Sequence, residues 1–347
     1  MSTVITSSTP DLATATGFGY LGWIGKSNLG DDAIADVLAE QLAPHTLVAA
    51  PMAIGELLRV RREPDRRGAL ASRRLLLGGG TVIGRANWRL NLAVALRACH
   101  GGPAVMIGAG VEDPSFRGRR SFSSFGELRR WRRLLVERFE SVTVRGPRSA
   151  ELCASIGVDA RVVGDPALLA AMSAKTDPNG PVVVSLGYGD ALRGGDQAAV
   201  VAAIARALAD EPERRVVAAS VNPSDRVWAG ELAVALGARV DVVDAFDVAD
   251  FDRVSDGASC VIAERLHAGI LAAAAGFAPV MIGYQPKVDD FAGSVGLAVH
   301  RTDELDHDAL VAAISSAGDH PRVIAAVADL RVLLSAEVAH LRAFVDA

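Results

Sequence analysis

Short apolar runs that end in Gly or a polar residue alternate with longer stretches of helical periodicity along the first half of the chain. The longer stretches include residues 32–41, 88–99 and 125–139, whose apolar positions recur at helical spacing. The apolar runs, which predict strands, are TGFGYLGWI, HTLVAA, RRLLLGGG, PAVMIGAG, SVTVRG and ARVVGD. Strands that alternate with helices are typical of a parallel sheet covered by helices. The first half is therefore predicted to form one doubly wound, Rossmann-like lobe.

The same alternation restarts in the second half. Residues 197–210, 226–236 and 266–275 have helical periodicity, and the runs VVVSLGYG, RRVVAASV, VDVVDA, ASCVIAE and APVMIGY predict strands. The pattern over residues 321–345 predicts a long amphipathic helix. The predicted fold class is thus α/β, with two Rossmann-like lobes that each contain a doubly wound parallel sheet.

Turn-forming residues mark the boundary between these lobes. The segment MSAKTDPNGP, residues 172–181, predicts a linker. We therefore expect an N-terminal lobe over residues 1–171, a C-terminal lobe over residues 182–320, and a helix over residues 321–347 that braces the two. A chain of 347 residues, half of them hydrophobic, is long enough for two such lobes.

The opening stretch GFGYLGWIGKSNLGDD contains a literal G-x-G-x-x-G at Gly17, Gly19 and Gly22. A dinucleotide-binding fingerprint places these glycines in the turn that follows a strand. Here they fall inside the apolar run itself. The motif therefore does not indicate a dinucleotide cofactor.

Asn28, Gly30 and Asp31 close the loop after this first strand, just before a helix that is predicted to begin near Asp32. Asn28 and Gly30 suit left-handed turn geometry, and either aspartate is suited to cap the first helical turn. The carboxyl end of the first strand is also where open α/β sheets bind ligands. A capped turn and a substrate-binding loop are therefore both retained as interpretations.

Four longer motifs follow in order: LLLGGGTVIG, RGPRSAELCASIGV, VVGDPALL and ERLHAGILAAAAGFAPVMIGYQPKVDDF. With the NLGD element of residues 28–31 in front, they resemble the polysaccharide pyruvyl transferase family over about residues 19–296. The most distinctive part is the triplet RLH at residues 265–267, followed by Tyr284 and Lys287.

The resemblance implies a two-lobed fold of the GT-B glycosyltransferase type. It also implies an enzyme that moves pyruvate from phosphoenolpyruvate onto two hydroxyls of one sugar, forming a cyclic ketal in a cell-surface polysaccharide or glycolipid precursor and releasing phosphate. Phosphoenolpyruvate is then the donor substrate, and no cofactor is expected. Two alternatives are a GT-B glycosyltransferase that uses a nucleotide sugar, for which no Glu or Asp ribose clamp is found, and a non-catalytic sugar-binding relative.

Arg265 and His267 are the predicted catalytic residues. They come directly after the strand ASCVIAE and open the helix that begins near Leu266, where a strand end and a helix N-terminus both favour anion binding. Arginine binds a carboxylate or phosphate bidentately, and histidine can donate a proton near neutral pH. We assign Arg265 to phosphoenolpyruvate binding and His267 to general acid catalysis, as the resemblance also implies. A helix-cap or core histidine is the alternative.

Other residues are predicted to bind substrate through their charge or their place in a loop. Arg145 ends the strand SVTV and faces either the cleft or the solvent. The loop GYQPKVDDF contains Tyr284 and Lys287, and this lysine either acts as a point charge on phosphate or is simply exposed.

Glycine turns complete the predicted site. Gly79 and Gly80 in the first lobe and Gly187 in the second allow the backbone to approach a ligand, or merely permit tight turns. Asp165 in VVGDPALL is predicted to fix the turn before Pro166 rather than to take part in chemistry. No spacing of histidines, cysteines or carboxylates indicates a metal site.

The net charge of −5 hides a basic first half. Through residue 170 there are 22 Lys and Arg against 16 Asp and Glu, and the remainder has 14 against 25. Seven arginines lie within residues 59–74 and seven more within residues 117–133, where Phe122, Phe125 and Trp131 are interleaved. Such runs are either solvated surface or, with aromatic residues, a contact for anionic lipid. A lipid-linked or glycolipid acceptor would be presented there, and no motif indicates nucleic acid.

Cys99, Cys153 and Cys260 lie far apart in apolar contexts, and the start of the chain lacks a signal-peptide pattern. The thiols are expected to be buried and unreactive. No run of about 20 apolar residues predicts a membrane-spanning helix. We therefore expect a cytoplasmic protein, with peripheral contact at the inner face of the plasma membrane as an open extension.

Overall fold

Each strand in the part of the chain that the structure describes belongs to a parallel pair. The computed structural model describes residues 16–25, 28–116, 123–187, 196–283, 285–317 and 320–346. Within these residues the strands are β1 (Gly17–Leu21), β2 (Thr46–Ala49), β3 (Arg74–Leu77), β4 (Thr81–Ile83), β5 (Val105–Met106), β6 (Gly110–Val111), β7 (Thr143–Val144), β8 (Arg161–Val162), β9 (Val182–Ser185), β10 (Val216–Ser220), β11 (Val240–Asp244), β12 (Cys260–Ala263), β13 (Val280–Gly283) and β14 (Val299–Arg301).

Helices connect these strands. In chain order they are α1 (Leu29–Gln41), α2 (Ile54–Arg62), α3 (Pro64–Ala71), α4 (Ala86–Ala95), α5 (Phe125–Arg138), α6 (Pro147–Ala154), α7 (Gln197–Ala209), α8 (Arg226–Leu236), α9 (Val248–Ser255), α10 (Leu266–Ala274), α11 (Pro286–Val295), α12 (His307–Ser316) and α13 (Pro321–Asp346). Short 3-10 helices form at Pro166–Leu169, Pro223–Asp225 and Gly237–Arg239.

The N-terminal lobe is built on a parallel sheet in the order β2-β1-β3-β5. In the centre of this sheet, Phe18 pairs with Leu47 on one side and with Arg74 on the other. The short parallel pairs β4·β6 and β7·β8 lie beyond it. The run PAVMIGAG was predicted as one strand but forms β5 and β6, because Gly108 between them has a φ of 60° and leaves the extended conformation.

The described residues of the two arginine-rich segments lie mainly on helices. Residues 59–62 belong to α2 and residues 64–71 to α3, and α2 buries Leu57 and Val60 while its arginines remain in solvent. Arg73, by contrast, is buried, and Arg74 lies in β3. In α5, Trp131 is fully buried and its indole N–H donates to the carbonyl of Arg85 at 3.2 Å. The ring of Trp131 is therefore part of the core and does not contribute to a contact with anionic lipid. Phe122 lies outside the described residues, whereas Phe125 is exposed.

The C-terminal lobe contains a six-stranded parallel sheet in the order β11-β10-β9-β12-β13-β14. The strand order reverses at β9, which is the position where doubly wound sheets open a crevice at the carboxyl ends of their strands. The sequence pattern did not predict β14, α11 or α12. These elements lie at one edge of the sheet and on its faces, where partial burial weakens a periodic signal.

One hydrophobic core is shared by the two lobes. It contains Phe18 and Leu29 from the first lobe, Leu266 and Phe291 from the second, and Leu334 from α13. Each lobe has a further apolar cluster of its own. Because burial of apolar surface is the main stabilising contribution in folding, the shared core holds the lobes in a defined relation.

The long helix α13 contacts both lobes. The guanidinium of Arg331 donates to the carbonyl of Leu168 at 2.7 Å and to that of Ala274 at 2.9 Å. The side chain of Glu337 on the same helix is buried and ion-paired with Arg161. Residues 171–181, between the two sheets, contain neither helix nor strand.

Candidate active site

A cavity of about 350 Å³ lies between the two lobes, beside residues that directly follow their central strands. Most of the residues predicted to bind substrate or to act in catalysis line it, namely Asn28, Gly30, Asp31, Gly80, Arg145, Arg265, His267 and Lys287. Gly79 and Gly187 lie near it without lining it. Tyr284 lies outside the described residues.

His267 is held between the lobes. It is the second residue of α10, and its Nε2 atom lies 3.6 Å from Oδ2 of the fully buried Asp165 in the N-terminal lobe. On another side the ring lies against Gly30 of α1, where a Cβ atom would overlap with Nδ1. The N-cap of α10 is Arg265 and not the histidine. The interpretation of His267 as a helix cap is therefore wrong, and its ring is available to the cavity.

Arg145 is buried rather than exposed, so the interpretation of this residue as a surface arginine is wrong. Only 1% of its side chain is accessible, and its guanidinium lies 3.4 Å from Asp290 and 3.8 Å from Asp165. Its Nη2 atom donates to the hydroxyl of Thr81 at 3.3 Å. Arg145 thus forms part of the cavity wall with a carboxylate from each lobe beside it.

Arg265 has a carboxylate partner that the sequence did not predict. Its Nε atom donates to Oδ2 of Asp225 at 3.0 Å, and its Nη2 atom also binds this carboxylate. Burial raises the pKa of Asp225, and the charge of Arg265 opposes that rise. The arginine side chain remains 28% exposed at the cavity. Asp225 follows β10 in the segment NPSD. Its place after the end of a strand was the sequence signal that could have identified it as part of the site.

The start of α1 differs from the prediction. The helix begins at Leu29, so Gly30 and Asp31 lie in its first turn, and Asn28 has an extended φ of −118°. The expected left-handed geometry at Asn28 and Gly30 is therefore wrong. Asp32 accepts from the backbone N–H groups of Gly25 at 2.6 Å and of Asn28 at 3.2 Å. It thereby fixes the loop before the helix.

Asp31 is the acidic group of the cavity on the N-terminal side. Its carboxylate accepts from the side-chain amide of Asn28. Burial raises the pKa of Asp31, whereas the positive charges of His267 and Lys287 lower it. Two residues of the C-terminal lobe therefore interact electrostatically with a carboxylate of the N-terminal lobe.

Lys287 is part of a helix and not of a loop. It is the second residue of α11, which has Pro286 at its first position. Proline is favoured there because its fixed φ suits the first turn and no N–H bond is lost. The helix N-terminus and the lysine together present positive charge to the cavity.

The predicted glycines have different environments. Gly80 has a φ of 89°, and a Cβ atom there would lie 2.9 Å from Oδ1 of Asp31, so it permits close approach at the cavity wall. Gly79 packs against Ile34 under that wall. The N–H of Gly187 donates to the buried Glu264 at 2.8 Å. Gly79 thus allows close packing under the wall, and Gly187 binds a side chain of its own lobe.

Aromatic and polar residues that the sequence reasoning missed form the remaining wall on the N-terminal side. This wall includes Trp23, Arg85, Asn87, Trp88, Glu112 and Phe116. Asn87 and Trp88 lie in α4 directly after the motif LLLGGGTVIG, so their place after a predicted cleft motif was a usable signal.

Neither a metal site nor a membrane-spanning helix is present among the described residues. Over the residues described above, no cluster of three or more His, Cys, Asp or Glu side chains has the geometry to hold a metal ion. Among the helices in this part of the chain, none has the length and apolar character needed to cross a bilayer. The three cysteines are free and buried, and burial raises the pKa of each thiol to about 12.

The sequence model of the polysaccharide pyruvyl transferase family matches residues 28–286. The chain belongs to this family. It is accordingly an enzyme of the polysaccharide pyruvyl transferase type. The match includes the segments that carry the cavity residues from Asn28 to Gln285. A search of curated proteins finds no match to this sequence.

Solved structures with a similar fold include a complex with UDP and a putative epimerase. The UDP co-structure of MnaA from S. aureus is 12% identical, has a TM-score of 0.58 and matches over 91% of both chains. A putative UDP-N-acetylglucosamine 2-epimerase from Listeria monocytogenes is 11% identical, with a TM-score of 0.52 over 88% of this chain and 80% of that one. At these identities the likeness concerns the fold alone. It confirms the prediction of two Rossmann-like lobes in the GT-B arrangement.

The cavity of this transferase combines cations with partner carboxylates. Arg145, Arg265 and Lys287 lie at its wall, and each has an acidic residue nearby. Positive groups that are fixed in a poorly hydrated cleft stabilise a bound anion without reorganising as it reacts. The arrangement is suited to binding a small polyanion beside the imidazole of His267.

Proposed function

We propose that the protein transfers pyruvate from phosphoenolpyruvate to two hydroxyls of one sugar, forming a cyclic ketal and releasing phosphate. The observation that carries the proposal is the convergence of Arg265, His267 and Lys287 on one cavity between the lobes. These are the residues on which the family resemblance rests most strongly.

The reaction requires a proton donor and a site for two anionic groups. A proton is added to the methylene carbon of the enol phosphate, and the adjacent carbon becomes cationic and is attacked by the first sugar hydroxyl. The carbon–oxygen bond to phosphate then breaks, and the second hydroxyl closes the ketal. The two hydroxyl protons balance the proton gained by the methyl group and the one gained by phosphate. No oxidant, reductant or further cofactor is needed.

We assign the proton donated to carbon to His267, which opens a helix and contacts the cavity. Arg265 and Lys287 then bind the carboxylate and the phosphate of the donor, as does the N-terminus of α10. A guanidinium binds a planar carboxylate through two N–H groups, and an ammonium acts as a compact charge on phosphate.

The aromatic wall on the N-terminal side is proposed to bind the sugar acceptor. Trp23 and Phe116 offer flat apolar surfaces, the largely buried Trp88 lines the same wall, and Asn87 and Glu112 offer hydrogen-bonding groups beside them. A sugar ring has apolar C–H faces and polar edges, so a wall of this composition suits both.

The acceptor is proposed to be a lipid-linked sugar or glycolipid at the inner face of the plasma membrane. Ile54 and Leu58 lie one turn apart on α2 and are 51% and 46% exposed. Arg59, Arg61 and Arg62 follow on the same helix. Exposed apolar side chains flanked by arginines favour peripheral contact with anionic lipid. We call Ile54, Leu58 and these three arginines the α2 surface.

Calorimetric titration tests the donor assignment. Phosphoenolpyruvate, UDP-sugars and GDP-sugars are each titrated into the wild-type protein, Arg265→Ala and His267→Ala. Binding of phosphoenolpyruvate that is lost in Arg265→Ala and largely kept in His267→Ala is the expected result. Binding of a nucleotide sugar without phosphoenolpyruvate would instead make the protein a glycosyltransferase. Binding of neither would contradict the donor assignment and favour a sugar-binding role.

A further inference from the structure

We propose that Asp165 is a positioning residue that holds His267 in place and stabilises its protonated, proton-donating form. The assignment rests on the proposed function, since it concerns the histidine that is to protonate the donor. It goes beyond the turn-forming role that the sequence predicts for Asp165.

The two carboxylate oxygens of Asp165 do different things. Oδ1 accepts from the N–H of Ala167 at 3.0 Å and so caps the 3-10 helix that follows. Oδ2 has no hydrogen-bond partner, although the residue is fully buried. It lies 3.6 Å from Nε2 of His267 and 3.8 Å from Nη1 of Arg145. A turn requires only the first oxygen, and an uncompensated buried charge is costly. We therefore infer that Oδ2 stabilises the positive charges of His267 and Arg145.

Charge balance indicates which cation depends on Asp165. Arg145 already has another carboxylate, because Asp290 lies 3.4 Å away and is fixed by the N–H of Ser149 at 3.0 Å. One guanidinium between two buried carboxylates leaves one negative charge in excess. That excess is neutralised when His267 carries a proton. The two carboxylates, the guanidinium and the ring of His267 together carry no net charge only when that ring is an imidazolium.

Other charged or titratable groups face this cluster from each neighbouring element. Asp31 on α1 interacts with His267 and is in turn offset by Lys287 on α11. The hydroxyl of Tyr20 on β1 stays neutral, because burial raises its pKa and the charges of Asp31 and Asp165 raise it further. Arg265, next to the histidine, is paired with a carboxylate of its own lobe. None of these groups removes the excess charge at Asp165.

The direction of the net pKa shift of Asp165 agrees with this assignment. Burial alone would raise the pKa of its carboxyl, but the charges of His267 and Arg145 and the hydrogen bond from the N–H of Ala167 outweigh burial and lower it. The carboxylate and the imidazolium stabilise one another across the lobe interface, since Asp165 belongs to the first lobe and His267 to the second.

Asp165→Asn provides a test that preserves shape. The amide oxygen can still cap Ala167, and only the charge is removed. The histidine rings of the wild type and variant are titrated by NMR, and the His267 signal is assigned by its absence in His267→Gln. We expect the midpoint of the His267 titration to fall by about one pH unit or more in Asp165→Asn.

Asp290→Asn is the matched control, because it removes a carboxylate from the same arginine without facing the histidine. In Asp290→Asn the midpoint of the His267 titration is expected to shift by roughly a third as much as in Asp165→Asn, or less. Equal shifts in both variants would show that Asp165 acts through Arg145 and would overturn the proposal. An unchanged midpoint in Asp165→Asn would reduce Asp165 to a turn residue. If that variant does not fold, Asp165→Ser keeps the cap and is titrated instead.

Kinetics separates a positioning role from a structural one. Phosphate release is followed with the sugar acceptor that the wild type uses fastest. In Asp165→Asn we expect kcat to fall roughly tenfold or more, with the alkaline limb of its pH profile moved to lower pH and KM for phosphoenolpyruvate nearly unchanged. A variant that loses thermal stability but keeps the wild-type kcat and pH profile would contradict the positioning role. If the wild type releases no phosphate, the proposed function fails, and the NMR titration still decides the Asp165–His267 pair.

Discussion

Gly30 in the first turn of α1 lies directly against the imidazole of His267 at the start of α10. A Cβ atom on Gly30 would overlap with Nδ1 of the ring. The two residues come from different lobes and are 237 positions apart in the sequence. Glycine is therefore needed at position 30 for space, since its backbone is helical and any residue tolerates that conformation.

Gly30→Ala is predicted to impair catalysis without weakening the helix. Alanine is favoured over glycine in a helix by about 1 kcal/mol, so any loss of function comes from displacement of His267. We expect kcat for phosphate release to fall roughly tenfold or more, because small displacements of a catalytic group are costly. Gly55→Ala is the control, since Gly55 is likewise the second residue of a helix and has open space around its Cα. Similar losses in both variants would contradict the contact.

Lys287→Ala is predicted to weaken phosphoenolpyruvate binding. Lys287 contributes a point charge to the cavity, and its loss leaves the donor phosphate with fewer cationic partners. We expect the calorimetric Kd to rise about tenfold, and by less in Lys287→Arg, which keeps the charge. Lys175→Ala, at an exposed position between the two sheets, should bind as the wild type does. An unchanged Kd in Lys287→Ala would remove this lysine from the donor site.

Glu264→Gln is predicted to change the pH dependence of stability. Burial raises the pKa of Glu264 above its ordinary value of 4.5, although Gln197 and the N–H of Gly187 oppose the rise. The folded protein thus binds this proton more readily than the unfolded chain, and wild-type stability falls as pH rises from about 4.5 through the folded pKa. The variant lacks this dependence. Its free energy of unfolding, relative to wild type, should therefore increase from pH 5 to pH 8 in urea denaturation.

Asp113→Asn is the control of opposite sign for that measurement. Burial raises the pKa of Asp113, but hydrogen bonds from Ser115 and Arg148 outweigh it, and the net shift is downward. Its contribution is present above the unfolded pKa and is lost only as pH falls through the folded one. The difference between Asp113→Asn and wild type should stay constant from pH 5 to pH 8. A constant difference for Glu264→Gln as well would show that its carboxylate costs nothing when buried.

The α2 surface is predicted to mediate contact with anionic vesicles. The double variant Ile54→Ser, Leu58→Ser should sediment with phosphatidylglycerol vesicles about fivefold less at low salt, because apolar burial and arginine attraction act together. Val234→Ser removes an even more exposed side chain from α8 of the other lobe and serves as the control. Equal vesicle binding by the wild type, the double variant and Val234→Ser would place any membrane contact outside the α2 surface.

Local sequence patterns were enough to locate much of the site. Arg265 and His267 were placed correctly at the start of α10 because an apolar run, a polar break and a helical pattern occur in succession. In a parallel sheet, the carboxyl ends of strands meet at one edge, so residues after different strands converge on one cleft. This reasoning also brought Arg145 and Lys287 to the cavity as candidates.

What the sequence by itself determined was the two-lobed α/β fold and the chemical types available at the strand ends. Only the tertiary structure decided the partners: Asp225 for Arg265, and Asp165 with Gly30 for His267. Helix and strand periods are local properties that a few residues specify. Which carboxylate faces which cation, within a lobe or between the two, depends on how the sheets and the shared core pack, and no spacing along the chain records that contact.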